Sequence, residues 1–107
     1  EFIVGRSKMG KLELDGYCPC CGYNTYEGKE RLQYKICPVC FWEDDPIQFD
    51  EPEYDEGCAN RVSLIQAQRN YEDFGACERD MIRHTRKPNI NDVRKPDWLA
   101  FLNKTDD

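Results

Sequence analysis

Histidine is almost missing: His84 is the only one in 107 residues. The side chain that most readily moves protons near neutral pH is therefore present once. As a catalytic base it would want a nucleophile such as Cys77 or Cys20 beside it, and nothing in the sequence places one there. A surface or capping role is expected for His84, and a second metal site built around it is not. Positive charge is also short, with 15 basic residues against 21 acidic ones and a formal charge of −6. That balance argues against a sequence-independent nucleic-acid binder, which needs a basic surface, and it suits a basic protein partner. No apolar run approaches the roughly 20 residues of a membrane-spanning helix. No secretory signal pattern is evident, so a cytoplasmic setting is expected.

Cysteine, by contrast, is abundant, with seven in the chain. Four of them form two C-x2-C pairs: Cys18 with Cys21 in CPCCG, and Cys37 with Cys40 in CPVCF. Fifteen residues separate the pairs, which is the spacing of a four-thiolate zinc site. Two residues between ligands let one tight turn aim both sulfurs at a single ion. Pro19 and Pro38 occupy matching positions and preset φ for that turn. Gly22 follows the first pair, where the chain needs freedom to leave the turn, and Phe41 stands at the equivalent place after the second. Disulfides fit less well, because the cysteine count is odd and no secretory context is apparent. A redox motif would sit at a strand-to-helix junction, whereas strand-like and turn-like residues flank both pairs. One structural Zn²⁺ on Cys18, Cys21, Cys37 and Cys40 is expected. Cys20 is then a free thiol beside a complete ligand set, and Cys58 and Cys77 are expected as buried thiols.

The rest of the chain is read around this centre. Residues 1–8 (EFIVGRSK) look unlike the remainder of the chain and read as a cloning remnant ahead of Met9, with a first strand as the alternative. Residues 9–107 suit one domain, divided into a zinc ribbon with an acidic loop (9–57) and a helical part (58–107). Residues 11–17 lead into the first pair as a short strand. In 31–36, Leu32, Tyr34 and Ile36 alternate with polar residues, which predicts a strand delivering the chain to Cys37. Tyr26 and Tyr34 are expected to cover that sheet. The fold class read from these signals is α+β: a small zinc-ribbon β-hairpin core with a helical C-terminal half.

The stretch from Glu43 to Glu56 holds eight acidic residues and no basic one, interrupted by Pro46 and Pro52. The plain interpretation is a solvated loop. The sharper one is a partner-docking surface, with Trp42 and Phe49 as aromatic anchors among Glu43, Asp44, Asp45, Asp50, Glu51 and Glu53. A calcium loop is disfavoured, since the D-x-D-x-D-G order is lacking. Residues 60–75 predict the main helix, capped by Ser63, reinforced by Gln66 and ended by Gly75. Leu64, Ala67, Gln68, Tyr71 and Phe74 share its apolar side, with Arg61 and Arg69 free to turn toward the acidic loop. A short helix is expected over 76–85 and a terminal one from Pro96 to Leu102.

Three segments, CPCCG (18–22), ICPVCFWEDD (36–45) and GCANRVSLIQAQRNYEDFGAC (57–77), together resemble the bacterial cysteine-rich CPCC family. The likeness covers 16–87. It implies a small zinc-binding domain, and the family's neighbourhood near toxin systems implies that an immunity role is conceivable. The function expected is thus a zinc-stabilised protein-binding module, with an immunity protein masking a basic toxin as its sharpest form. A thiol-dependent enzyme or redox protein and a nucleic-acid-associated ribbon are the alternatives. Enzymatic activity is not expected, because no acid–base or nucleophile constellation is visible.

Overall fold

The computed structural model describes residues 16–98. Residues 11–15 of the expected strand, 99–102 of the expected helix and the segment 1–8 lie outside those residues; within them Asp97 takes φ 64° and Trp98 N–H donates to Lys95 C=O at 3.1 Å, a turn.

Each cysteine pair closes a knuckle of the same design. Cys18 N–H donates to Tyr23 C=O at 2.8 Å, and Gly22 N–H donates to Cys18 C=O at 2.8 Å. In the second knuckle Cys37 N–H donates to Trp42 C=O at 2.9 Å, and Phe41 N–H donates to Cys37 C=O at 2.7 Å. Gly22 leaves its turn at φ 86° and Phe41 leaves its own at φ 71°. The left-handed conformation is natural for glycine and costs a side chain about 1 kcal/mol. Phe41 holds it while stacking on His84, ring centroids 5.0 Å apart.

The expected β-hairpin core does not form. Among the described residues there is no strand, only isolated antiparallel bridges between Tyr23 and Arg94 and between Ile36 and Glu43. The α+β assignment is therefore corrected: short helices and turns are assembled on two cysteine knuckles. The cause lies in residues 31–36. Leu32 and Tyr34 both take left-handed backbone, φ 63° and 64°, which breaks the pleat that alternation requires. Leu32 turns onto the core, while Tyr34 and Ile36 remain exposed. Asp44 holds the bend in place. Its carboxylate accepts from Leu32 N–H at 2.7 Å and from Arg31 at 2.7 and 3.1 Å.

Helix α1 (Pro46–Asp50) lies inside the acidic stretch. Asp45 caps it by accepting from the Ile47 and Gln48 amides, and the other carboxylate oxygen accepts from Ala59 N–H at 2.9 Å. Helix α2 (Leu64–Phe74) obeys its sequence signals: Ser63 accepts from Gln66 N–H at 3.1 Å, and Gly75 ends the helix at φ 82°. A serine cap of this kind contributes about 1 kcal/mol. Gln66 completes no capping box, since its amide donates along the helix to Asn70. Leu64, Ala67 and Gln68 are buried. A 3₁₀ helix (Arg79–His84) follows where a short helix was expected, putting Met81 against the core and leaving Ile82 exposed.

The helical part docks on the knuckles through their free carbonyls. Gln68 donates to Pro19 C=O at 2.8 Å, Cys77 N–H donates to Cys40 C=O at 2.9 Å, and Arg86 N–H donates to Pro38 C=O at 3.2 Å. The core around them is Tyr26, Val39, Trp42, Leu64, Ala67, Trp98 and the cysteines themselves. Tyr26 is buried, its hydroxyl within hydrogen-bonding reach of the Lys35 and Trp42 carbonyls at 2.8 and 3.1 Å. It covers no sheet; it ties the second knuckle to the bend before it.

Candidate metal centre

The two turns bring four sulfurs to one point. Cys18 Sγ lies 3.6 Å from Cys40 Sγ, and Cys21 Sγ lies 3.8 Å from Cys37 Sγ. All four ligand atoms fall within 4.8 Å of one another, and all four residues are fully buried. Tetrahedral ligation with metal–sulfur bonds of about 2.3 Å places sulfurs roughly 3.8 Å apart. The set therefore fits a tetrahedral ion, with each knuckle supplying two corners. All seven cysteines are free of disulfides.

Polar hydrogens surround the sulfurs. Cys20 N–H points at Cys18 Sγ at 3.4 Å, and the Thr25 hydroxyl lies 3.0 Å from Cys37 Sγ. Burial pushes the Cys18, Cys21 and Cys40 thiols well above the ordinary thiol range. Burial opposes charge on Cys37 too. There it is outweighed by hydrogen bonds from Cys18, Cys21, Cys40 and Thr25, which hold this thiol well below the usual range. A divalent ion supplies the charge that lets all four ionise.

The chain matches the cysteine-rich CPCC family over residues 16–92. It belongs to that family. No curated protein matches it by sequence.

Cys20, the second cysteine of the CPCC run, stays out of the ligand set, its thiol directed to Ala67 C=O at 3.4 Å. It serves as a buried contact between the first knuckle and α2 of this CPCC protein. Cys77 is buried as expected, its thiol raised by burial and by the neighbouring Cys20 and Glu78 charges. Cys58 departs from expectation: it is half-buried, with its thiol raised by desolvation and by Asp45, Asp55 and Glu56.

The residues singled out for partner binding divide into two groups. Trp42, Asp44, Asp45 and Phe49 are buried. Trp42 belongs to the core, Asp44 to the Arg31 pair and Asp45 to the α1 cap; the Arg31 guanidinium lies 5.0 Å from the Phe49 ring. Glu43 is half-buried, and Asp50, Glu51 and Glu53 are exposed. Beside them stand two exposed apolar side chains, Ile47 and Tyr54. A groove of about 450 Å³ opens there, lined by Glu51, Pro52, Glu53, Tyr54 and Ile65. Arg61 does not turn to this acidic stretch; it pairs with Glu78 and Asp80 at 2.7 and 2.8 Å.

Sequence reasoning missed the buried amide cluster of Gln48 and Asn60. Gln48 donates to Tyr54 C=O and Val62 C=O at 3.0 and 2.9 Å and accepts from Asn60 Nδ2 at 2.9 Å. Neither residue carries a spacing signal, because its partners are backbone groups of irregular segments.

Proposed function

We propose that this CPCC protein is a zinc-stabilised protein-binding module whose partner is basic. Zinc is the reading supported by four thiolates in a closed tetrahedral set, since soft sulfur donors in that geometry select it over harder cations. The ion's role is structural. Four protein ligands leave no coordination position for water, so the centre is not expected to generate a metal hydroxide.

The observation that carries the binding role is the exposed acidic rim around an apolar groove. Asp50, Glu51, Glu53, Asp55 and Glu56 are exposed beside Ile47 and Tyr54. Opposite charge steers encounter, and the apolar centre supplies burial once contact is made. An immunity protein that shields a basic bacterial toxin is the sharpest form of this reading. Cytoplasmic residence agrees with free cysteines at a thiolate metal site.

The test joins metal content to binding kinetics. Elemental analysis of protein purified without added metal is expected to find one zinc per chain. Association with a partner captured from the native host is expected to slow as salt rises, because exposed charges are screened over about 8 Å at physiological ionic strength. Changing Asp50, Glu51 and Glu53 together to lysine is expected to lower the on-rate. An unchanged on-rate in a folded triple variant sinks the binding role.

A further inference from the structure

The chain between 86 and 93 is a small loop braced at both ends. Arg86 N–H donates to Pro38 C=O at 3.2 Å on the second knuckle, and Val93 C=O accepts from Asn24 N–H at 3.0 Å beside the first. The Arg86 guanidinium closes the base with two bonds to the Asp92 carboxylate, at 2.6 and 3.1 Å. Asp92 also accepts from Asn89 N–H at 2.7 Å and donates its own N–H to Asn89 C=O at 3.0 Å. The Asn89 side chain accepts from Asn91 N–H at 2.8 Å, and Pro88 fixes one further φ. The tip of this bonded loop is apolar: Ile90 is 94% exposed, and Val93 beside it is 54% exposed. An apolar side chain held in water on a stiff frame gives up little freedom when a partner covers it.

The acidic groove has the complementary form. Pro52, Tyr54 and Ile65 supply its apolar wall, and Glu51 and Glu53 its rim. Its shape is held as well: Ile65 N–H donates to Pro52 C=O at 3.0 Å, and Gln48 donates to Tyr54 C=O at 3.0 Å. Its volume of about 450 Å³ has room for a branched aliphatic side chain with some of its flanking backbone. Charge matches where shape does. Residues 50–56 carry five acidic groups and no basic one, whereas 86–95 carry Arg86, Lys87, Arg94 and Lys95 against Asp92 alone. Arg86 pairs with Asp92 and Arg94 with Glu72. Lys87 is exposed three residues before Ile90 and can reach a carboxylate on another molecule. Ile90 fills no groove of its own molecule, as its exposure shows.

We propose that the chain binds a second copy of itself head to tail, the Ile90 loop of one copy entering the acidic groove of the next. The second copy thereby becomes an occupant of that groove, which rests on the reading of the groove as a binding surface. Loop tip and groove are different surfaces, so the contact is heterologous. Each pair keeps one free tip and one free groove, and assembly grows with concentration unless it closes into a ring. One loop tip in one groove buries less than a stable interface does, so the contact is transient. A basic partner protein competes with the loop, and the self-contact shields the groove until that partner arrives.

The experiment follows the full chain as purified by sedimentation equilibrium from about 10 μM to about 1 mM, the range in which weak contacts show. The average mass of the unaltered chain is expected to rise with concentration. Ile90→Asp spoils the loop tip, and Glu51→Lys with Glu53→Lys reverses the rim; all three positions are exposed. Each variant alone is expected to associate at least about tenfold more weakly. An equimolar mixture of the two is expected to form pairs and stop there, because only one intact tip and one intact groove remain to meet. Metal content and circular dichroism report folding. An unaltered chain that stays monomeric, variants that associate as it does, or a mixture that stays monomeric overturns the proposal. If a variant does not fold, backbone NMR of the unaltered chain decides. Raising its concentration is expected to shift residues 88–92 and 51–54 ahead of the rest, and shifts elsewhere, or none, overturn the contact. A monomeric chain whose groove still takes up an outside basic protein overturns the self-contact and leaves the proposed function standing.

Discussion

The side-chain amide of Asn60 clasps the Glu43 backbone: Oδ1 accepts its N–H at 3.0 Å, and Nδ2 donates to its carbonyl at 2.8 Å, which also accepts from Asp45 N–H at 2.7 Å. Glu43 meets Ile36 on its other side in an isolated bridge. Asn60 therefore stands where a neighbouring strand would stand. A single amide substitutes for a ladder and satisfies groups that burial would otherwise leave without partners. The same Nδ2 reaches Gln48 Oε1 at 2.9 Å, linking this edge to α1.

Asn60→Ala is thus expected to leave the Glu43 N–H without a partner, take one donor from the Glu43 carbonyl and one from Gln48 Oε1. The cost is about 3 kcal/mol, since each buried polar group left unmade costs roughly 1–3 kcal/mol. Urea unfolding measures it. A loss below about 1 kcal/mol would show that water replaces the amide without penalty.

Ligand and non-ligand cysteines are expected to behave differently. Cys37→Ser opens the metal centre and should remove both the metal and the cooperative melt. Cys77→Ser alters a buried thiol outside the sulfur set and should lower the melting temperature while preserving metal content. Thermal melts beside elemental analysis compare the two. Equal metal loss in both variants contradicts the ligand assignment.

Asp44 is fully buried, and Arg31 is nearly so, at 13% side-chain exposure. Asp44→Ala takes the carboxylate from the Arg31 guanidinium and the acceptor from the Leu32 amide, with an expected cost of about 3–5 kcal/mol. Replacing both partners, Arg31→Met with Asp44→Leu, is expected to recover much of it. A double-mutant cycle in urea reads the coupling, and additive losses would deny the pair any energetic link.

Alkaline pH is expected to destabilise the chain. Burial raises the Cys77 thiol and the Tyr26 hydroxyl, with nearby sulfur charges adding to both. A raised folded value favours the fold fully below the group's ordinary value, and that contribution is lost as pH rises. The unfolded chain ionises first, so melting temperature should fall from about pH 8.5, the ordinary thiol range. Cys77→Ala should delay the onset toward the tyrosine range. Identical profiles for the two proteins would remove Cys77 from the account.

Local signals were legible wherever a residue acts on its own neighbours. The α2 cap at Ser63 and stop at Gly75 follow from positions in sequence, and the paired C-x2-C spacing foretold the four converging sulfurs. The false strand shows the limit. Alternation of Leu32, Tyr34 and Ile36 carries a period-two signal, but Asp44, twelve residues from Leu32, captures the Leu32 amide and bends the chain. The acidic stretch misled for a related reason. Asp44 and Asp45 resemble their exposed neighbours in composition, and only long-range partners such as Arg31 and Ala59 distinguish them. Pairings across distance are set by assembly, which periodicity does not encode.

The knuckle carbonyls of Pro19, Pro38 and Cys40 are the sockets that receive α2 and the segment beyond it. Their directions are fixed only once the turns have closed, and an ion bound to the four sulfurs would hold them closed. Refolding from the metal-free, denatured chain is consequently a race between ion capture and collapse. Helical signal and metal uptake should rise with one rate constant, proportional to free metal while the ion is scarce. At saturating metal that rate should level off at the speed with which residues 22–36 bring the two cysteine pairs together, a closure of short contour length and modest entropic cost.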